Sequence, residues 1–407
     1  MKFWESVIIA GSSLRAHKLR TSLTLIGVVI GVVAVVTVMS LIEGMNRYVA
    51  TKILDLGSNT FMVDKFGIIT DFKDFIEAIK RNKDLTLDDL RAIKDNATLA
   101  ADVGAQRVMQ SATVKYQEYK MSDVALKGVT ANMADLDTAR VEVGRYISIT
   151  DVENKRPVCF IGYAIAQKLY NGIDPIGKEI KLNGVPFQII GIAKEIGAVF
   201  GQPRDLFVCI PITTFQKMYG SRDSVVIHVR GLETASMEQV QDQVRLILRS
   251  RHHLKFNDKD DFGFVSPEAI AGLWNQMTSI LAAVAVGITS ISLIVGGIVI
   301  MNIMLVAVTE RTKEIGVRKS LGAKRKDILL QFLAESVLMS ISGGLTGLFV
   351  SYFLSMLIAG LLAIPFIMPM SGVVVSVTVS SLVGIIFGIY PAWKASKLNP
   401  IVALRYE

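Results

Sequence analysis

Hydrophobic and polar positions follow two regimes along this chain. In four stretches apolar residues run on almost without a charge: 21–42 (TSLTLIGVVIGVVAVVTVMSLI), 277–308, 328–362 with Glu335 as its single charge, and 373–392. A run of 18 or more such residues can cross the hydrocarbon core of a bilayer, so each stretch predicts a membrane helix. Glycine and other small residues are frequent in all four, as membrane helices allow. Between the first and second stretch the apolar residues instead alternate over short runs. Residues 60–66, 101–110, 111–120 and 123–129 read as strands. GKEIKLNGVPFQIIGIAKE, residues 177–195, places two strand-like runs around Asn183-Gly184, a strong hairpin signal. LFVCIPI (206–212) and SVVIHV (224–229) read as buried strands. Helical spacing occurs at about 85–95, with Thr86 as N-cap, at 163–170 and at 234–251.

These elements predict an α-helical membrane protein with four transmembrane helices and a large extracytoplasmic α+β domain. Its segments nearest the first two membrane helices pair with each other and carry an inserted β-rich lobe. The expected order begins with an amphipathic helix at 1–20, where Phe3, Trp4, Val7, Ile8 and Leu14 suit the inner membrane surface. The first span follows at 21–45, then the outside domain at 46–272 with its lobe at about 112–205. A stalk and second span occupy 273–308, and a helix and loop 309–327. The third span is 328–362, a short outer turn 363–372, the fourth span 373–393 and the tail 394–407. The first span is too long for the apolar core of a signal peptide, and Glu43, Gly44 and Met45 form no cleavage site. Residues 277–308 as a helix would be about 48 Å long at about 1.5 Å per residue, against a hydrocarbon core of about 30 Å. The first and second membrane helices are therefore expected to extend outward as a stalk, with strong tilt as the alternative.

Charge sets the orientation. The mean hydropathy of +0.45 suits a membrane chain, and the net charge is +8. Fourteen Lys and Arg lie in residues 1–20, 310–327 and 394–407, and six acidic residues lie there or in the membrane runs, so these parts carry the entire excess. The outside domain is neutral. This is a positive-inside pattern, with both termini and residues 309–327 cytoplasmic, and it does not imply nucleic acid.

Chemical motifs are scarce. Gly172-Ile173-Asp174-Pro175-Ile176-Gly177-Lys178 matches the start of a phosphate-binding loop, but Glu179 stands where the hydroxyl for magnesium is needed, and the segment leads into a hairpin. The four His, at 17, 228, 252 and 253, form no metal set, and His252-His253 suits a solvated helix end. Cys159 and Cys209 lie in apolar strand runs, open between one disulfide and two buried thiols. Glu335, about 12 Å into the third span, suits pairing at the inner interface with Lys324 or Arg325, ahead of a proton relay. In ERTKEIGVRKSLGAKRKD (310–327), Glu314 and Arg318 can pair one turn apart, Gly322 can end a helix at positive φ, and Asp327 can cap the next. Ile315, Val317 and Leu321 are then available to dock into a partner's groove; the alternative is a basic loop that sets topology and touches only lipid headgroups. Gly316 within that helix would permit close approach to the partner.

ERTKEIGVRKSLGAKRKDILLQFLAES (310–336) closely resembles the signature of the MacB/FtsX-type family of ABC transporter permeases. The match runs through Glu310, Arg311, Glu314, Ile315, Gly316, Val317, Arg318, Leu321, Gly322, Ala323, Asp327, Ile328, Gln331, Phe332, Leu333 and Glu335. AHKLRTSLTLIGVVIGVVAVV (16–36) resembles the family's first span, and YPAWKASKLNPIVALRYE (390–407) its closing motif. The resemblance implies a permease without catalytic residues or cofactors of its own, working as a homo- or heterodimer on two ATPase subunits that bind ATP and Mg. The outside domain would have a Porter-like base and a Sabre-like insertion. Glu310, Arg311, Glu314, Ile315, Gly316, Arg318, Lys319, Leu321, Gly322 and Ala323 would couple the ATPase to the stalk. Because the chain starts at the interfacial helix, the ATPase is expected as a separate chain in the bacterial inner membrane complex. The first expectation for its work is efflux of peptides, antibiotics or similar substrates from the periplasm, with an adaptor and outer-membrane channel. The alternative is lipoprotein extraction from the inner membrane, and after that regulation of cell-envelope enzymes.

Overall fold

The computed structural model describes residues 18–54, 59–137, 140–170, 174–199, 202–362 and 364–404. Nearly all of the expected interfacial helix at 1–20 lies outside these residues. The chain divides into two compact units, Met1–Tyr48 with Asn275–Glu407, and Val49–Trp274.

Among the described residues, four helices are long and apolar enough to cross a membrane. They lie within Lys18–Leu54, Pro267–Glu310, Arg325–Leu362 and Met370–Lys397. The second is unbroken over 44 residues, about 66 Å at about 1.5 Å per residue. Small residues set the packing. A Cβ on Gly27 of the first helix would lie 2.6 Å from the Gly296 Cα of the second, so only glycine permits this crossing. Between the third and fourth helices Ser340 Oγ donates to the Ser380 carbonyl, and a Cβ on Gly384 would lie 2.9 Å from the Val337 Cα. Val28, Val32, Ile300, Met304, Phe332 and Val383 are the larger side chains filling this core.

Among the described residues, the second unit is built on twelve strands: β1 (Thr60–Asp64), β2 (Ala100–Tyr116), β3 (Tyr119–Val129), β4 (Val141–Gly144), β5 (Val158–Ile161), β6 (Glu179–Leu182), β7 (Val185–Ala193), β8 (Ala198–Val199), β9 (Gln202–Pro203), β10 (Phe207–Pro211), β11 (Val226–Gly231) and β12 (Gly263–Val265). The main sheet has the order β12-β1-β11-β2-β3-β10-β5-β7-β4. As expected, the strands nearest the first two membrane helices, β1 and β12, pair with each other, antiparallel from Met62 opposite Val265. The Asn183-Gly184 turn joins β6 to β7, both residues at positive φ.

β6 pairs with both β7 and β2. This closes β2-β3-β10-β5-β7-β6 into a six-stranded barrel. Alternate residues of all six strands, including Val114, Leu126, Val208, Cys159, Leu182 and Phe187, fill its interior. The expected lobe at 112–205 is thus no separate sheet, because β2 and β3 serve both parts. The two strands expected at 101–110 and 111–120 are largely one, β2, which continues through the irregular pairing at Ser111, a residue at positive φ. The other half of β2 joins β11 and β1 beneath the helices Leu87–Asn96 and Met237–Arg251, around Phe61, Val103, Ile227, Ile93 and Val244. Thr86 caps the first of these helices with Asp89 as its reciprocal partner. Phe72–Arg81, capped by Asp71, is a further helix outside the expected elements.

The cysteines are free and buried. On adjacent β5 and β10, Cys209 lies opposite Phe160, so Cys159, one residue on, faces the other side of the sheet. Cys159 points into the barrel and Cys209 into the cluster with Tyr146 and Phe207 outside it. A disulfide is excluded by this alternation.

Candidate functional site

The segment at 310–327 forms a short helix, Thr312–Ser320, between the second and third membrane helices. Glu310 ends the second helix. Arg311 leaves helical geometry at φ −97° and ψ 15°, which breaks the helix there. Thr312 then turns inward and its Oγ donates to the carbonyls of Val308 at 3.0 Å and Thr309 at 2.8 Å. Thr312, Ile315 and Gly316 are buried and Lys319 half-buried, so one face of the short helix meets the permease itself. This corrects two expectations. Ile315 packs with Ile328 and Phe332 in the membrane unit's core instead of meeting a partner. Gly316 likewise faces the interior and not a partner surface. Val317 and Leu321 remain on the outer face.

Polar contacts hold the short helix at both ends. Arg311 Nη1 donates to both carboxylate oxygens of Glu335 at 3.2 Å. Glu335 therefore pairs with Arg311, and not with the expected Lys324 or Arg325: the turn after Glu310 brings Arg311 back over the third helix. Arg318 bridges outward to Glu314 on the same helix and inward to Gln331 Oε1 at 2.8 Å. Lys319 Nζ donates to the carbonyls of Ser396 at 2.5 Å and Leu398 at 2.7 Å. Those carbonyls belong to the last turn of the fourth helix and the residue after it, where a cation complements the helix dipole. Burial lowers the pKa of Lys319. At the far end, Leu321 is exposed and Gly322 takes φ +99°, with Ala323 N–H donating to Arg318 O at 3.1 Å. Asp327 accepts from the Lys324 N–H at 3.0 Å and so occupies the third helical position, one turn inside the expected cap.

Among the described residues no group of three or more His, Cys, Asp or Glu can hold a metal. Lys178 of the phosphate-loop lookalike leads directly into β6, not into a helix. His252 is not solvated. It caps the helix Met237–Arg251, is buried, and its Nδ1 lies 2.7 Å from Asp261 Oδ1, with Asp89 Oδ1 3.6 Å from Nε2. Asp89 and Asp261 raise its pKa against burial. The membrane unit also holds an apolar cleft of about 220 Å³, which sequence spacing did not indicate. Val35, Met39, Ala285, Thr289 and Val379 line it, from the first, second and fourth helices.

Two family models match this architecture. The MacB-like periplasmic core domain covers residues 21–247 and the FtsX-like permease C-terminal region covers 286–400. Together they define the class as an ABC transporter permease with a periplasmic core domain between its first two membrane helices. The chain belongs to the MacB/FtsX-type family. It is 37% identical over 399 residues to the macrolide export ATP-binding/permease protein MacB of Bdellovibrio bacteriovorus, covering 97% of this chain and 60% of that protein. It is 31% identical over 412 residues to the uncharacterized ABC transporter permease YknZ of Bacillus subtilis, covering 100% of both. The chain thus spans about 60% of the length of the MacB relative and the full length of YknZ. The crystal structure of the periplasmic region of MacB from Actinobacillus actinomycetemcomitans aligns with a TM-score of 0.46 at 18% identity, over 56% of this chain and 97% of that one.

Proposed function

We propose that this permease is the mechanical half of an efflux complex. Two ATPase subunits, binding ATP and Mg, act on a permease dimer and move its periplasmic domains, which expel peptides, antibiotics or similar substrates through an adaptor and outer-membrane channel. Both termini and residues 309–327 face the ATPase in the cytoplasm. The observation that carries this reading is the attachment of the helix Thr312–Ser320. It is tied to the third membrane helix through Glu335 and Gln331, to the fourth through the carbonyls of Ser396 and Leu398, and to the second by direct continuation. A displacement of this helix is therefore passed to three membrane helices at once. The second of them is long enough to carry the motion well beyond the bilayer as a stalk. Named relatives that export macrolides support efflux as the work done.

The test is coupling in the reconstituted complex. Lys319→Met and Arg311→Ala together should leave ATP hydrolysis within about twofold while efflux falls about tenfold, a change of about 1.4 kcal/mol. Unchanged efflux would sink the reading.

The apolar cleft favours a second reading, extraction of lipid-anchored proteins. With the termini inside, its lining lies in the outer-leaflet half of the first, second and fourth helices, where an acyl chain would enter. Val35→Trp and Ala285→Trp would fill it. Release of a lipoprotein from spheroplasts should then stop while efflux of a soluble substrate is unchanged, and continued release would sink this second reading.

A further inference from the structure

The coupling reading leaves the short helix Pro400–Leu404 without a role. It packs directly on Thr312–Ser320, and Ala403 is buried. Its first turn is fixed by Asn399, whose Oδ1 accepts from Ile401 N–H at 3.1 Å and whose carbonyl accepts from Ala403 N–H at 2.9 Å. Lys319 fastens the chain just before it, at Ser396 and Leu398. The two short helices therefore form one body.

That body exposes four large apolar side chains. Val317 is 43% exposed, Leu321 84%, Ile401 69% and Val402 62%. Exposed Lys313, Lys324, Arg325, Lys326, Lys394 and Lys397 lie on the same helices and their flanks. Inside a membrane such apolar exposure needs no explanation; in water it marks a contact surface. The aromatic pair Tyr390 and Trp393, exposed and stacked at 6.4 Å, has the character of an interfacial belt. The fourth helix runs on past this pair to Lys397, and Ile401 and Val402 follow on the separate helix Pro400–Leu404, in the tail whose charge assigns it to the cytoplasm.

We infer that the ATP-binding partner docks on both short helices at once. This rests on the coupling reading of Thr312–Ser320 and extends its surface to the C-terminal helix. The partner's complementary surface is an apolar groove that takes Val317, Leu321, Ile401 and Val402. Its rim carries carboxylates that meet the surrounding lysines and arginine. Because Lys319 fastens the C-terminal segment to the coupling helix, a subunit that grips one meets the other.

The experiment places a photo-crosslinking p-benzoylphenylalanine at Leu321, at Val402, and as a control at Tyr119, in the full chain in its native membrane. The captured polypeptide is sequenced for a G-x-x-x-x-G-K-[ST] loop, the mark of an ATP-binding subunit. Leu321 and Val402 should capture the same such protein, and Tyr119 none. In parallel, Ile401→Glu should cut the ATP-binding subunit retained on purified permease about tenfold, whereas Ile401→Leu should retain it. Ile401 is exposed, so both variants fold, and gel filtration of the permease verifies this. Capture from Leu321 alone, lipid adducts at Val402, capture of a second permease copy there, or unchanged retention with Ile401→Glu each overturns the inference and leaves the coupling reading standing. Capture of an ATP-binding protein from neither position overturns both.

Discussion

Several of the side chains that matter most are placed by residues far away in sequence. His252 and the cysteines show this. His252 looks in sequence like a frayed helix end, but the loop carrying Asp261 folds back and buries it against Asp89. Its folded pKa is raised. The stabilisation is therefore fully present below the unfolded value of about 6.5 and is lost as pH rises through the folded value. His252→Gln should destabilise the outside domain by about 1.5–3 kcal/mol at pH 6, the range for hydrogen bonds to charged groups. The difference should narrow by pH 9, as read by urea unfolding of the full chain in detergent. A constant difference across that range would show that only packing is lost. Burial pushes the Cys209 thiol up to about 12 and the Cys159 thiol higher still. Both should resist iodoacetamide in the native protein at pH 8, react together in denaturant, and form no intramolecular disulfide under oxidant.

At the scale of elements, helices were the most legible. Long apolar runs and N-caps identify them locally, and Thr86, Asn183-Gly184 and Gly322 all behave as their chemistry dictates. Phe72–Arg81 lies outside the expected elements, although its apolar residues, Phe72, Phe75, Ile76 and Ile79, have helical spacing. These side chains are partly or largely exposed, so the stripe marks no core that its neighbours in sequence would reveal. The barrel was also invisible, because closure depends on β6 finding β2 about 70 residues away. Close helix crossings are testable at this scale. Gly296→Val must push apart backbones that nearly touch. It should lower thermal stability of the detergent-solubilised permease by about 1–3 kcal/mol, the usual range for overpacking. Gly287→Val, on the same helix with open space around it, should change little.

For the whole molecule, the distribution of charge predicts orientation. A cysteine introduced as Leu321→Cys should react with a membrane-impermeant maleimide only in inverted vesicles. Tyr119→Cys should react only from outside. The opposite labelling would overturn the positive-inside assignment and with it the cytoplasmic docking surface. The native thiols do not interfere, since both are buried.

The sequence alone determined the four membrane helices, the α+β domain between the first two, and the family signature at 310–336. All of these rest on local periodicity, on charge, or on short motifs whose physics acts within a few residues. Tertiary structure decided the rest. It closed the barrel, separated the cysteines, turned Ile315 and Gly316 inward, and gave Glu335 to Arg311. It also joined Lys319 to the end of the fourth helix, so that a charged turn became a surface shared by two helices nearly 80 residues apart. Those outcomes depend on which distant segments meet, and no local pattern encodes the meeting.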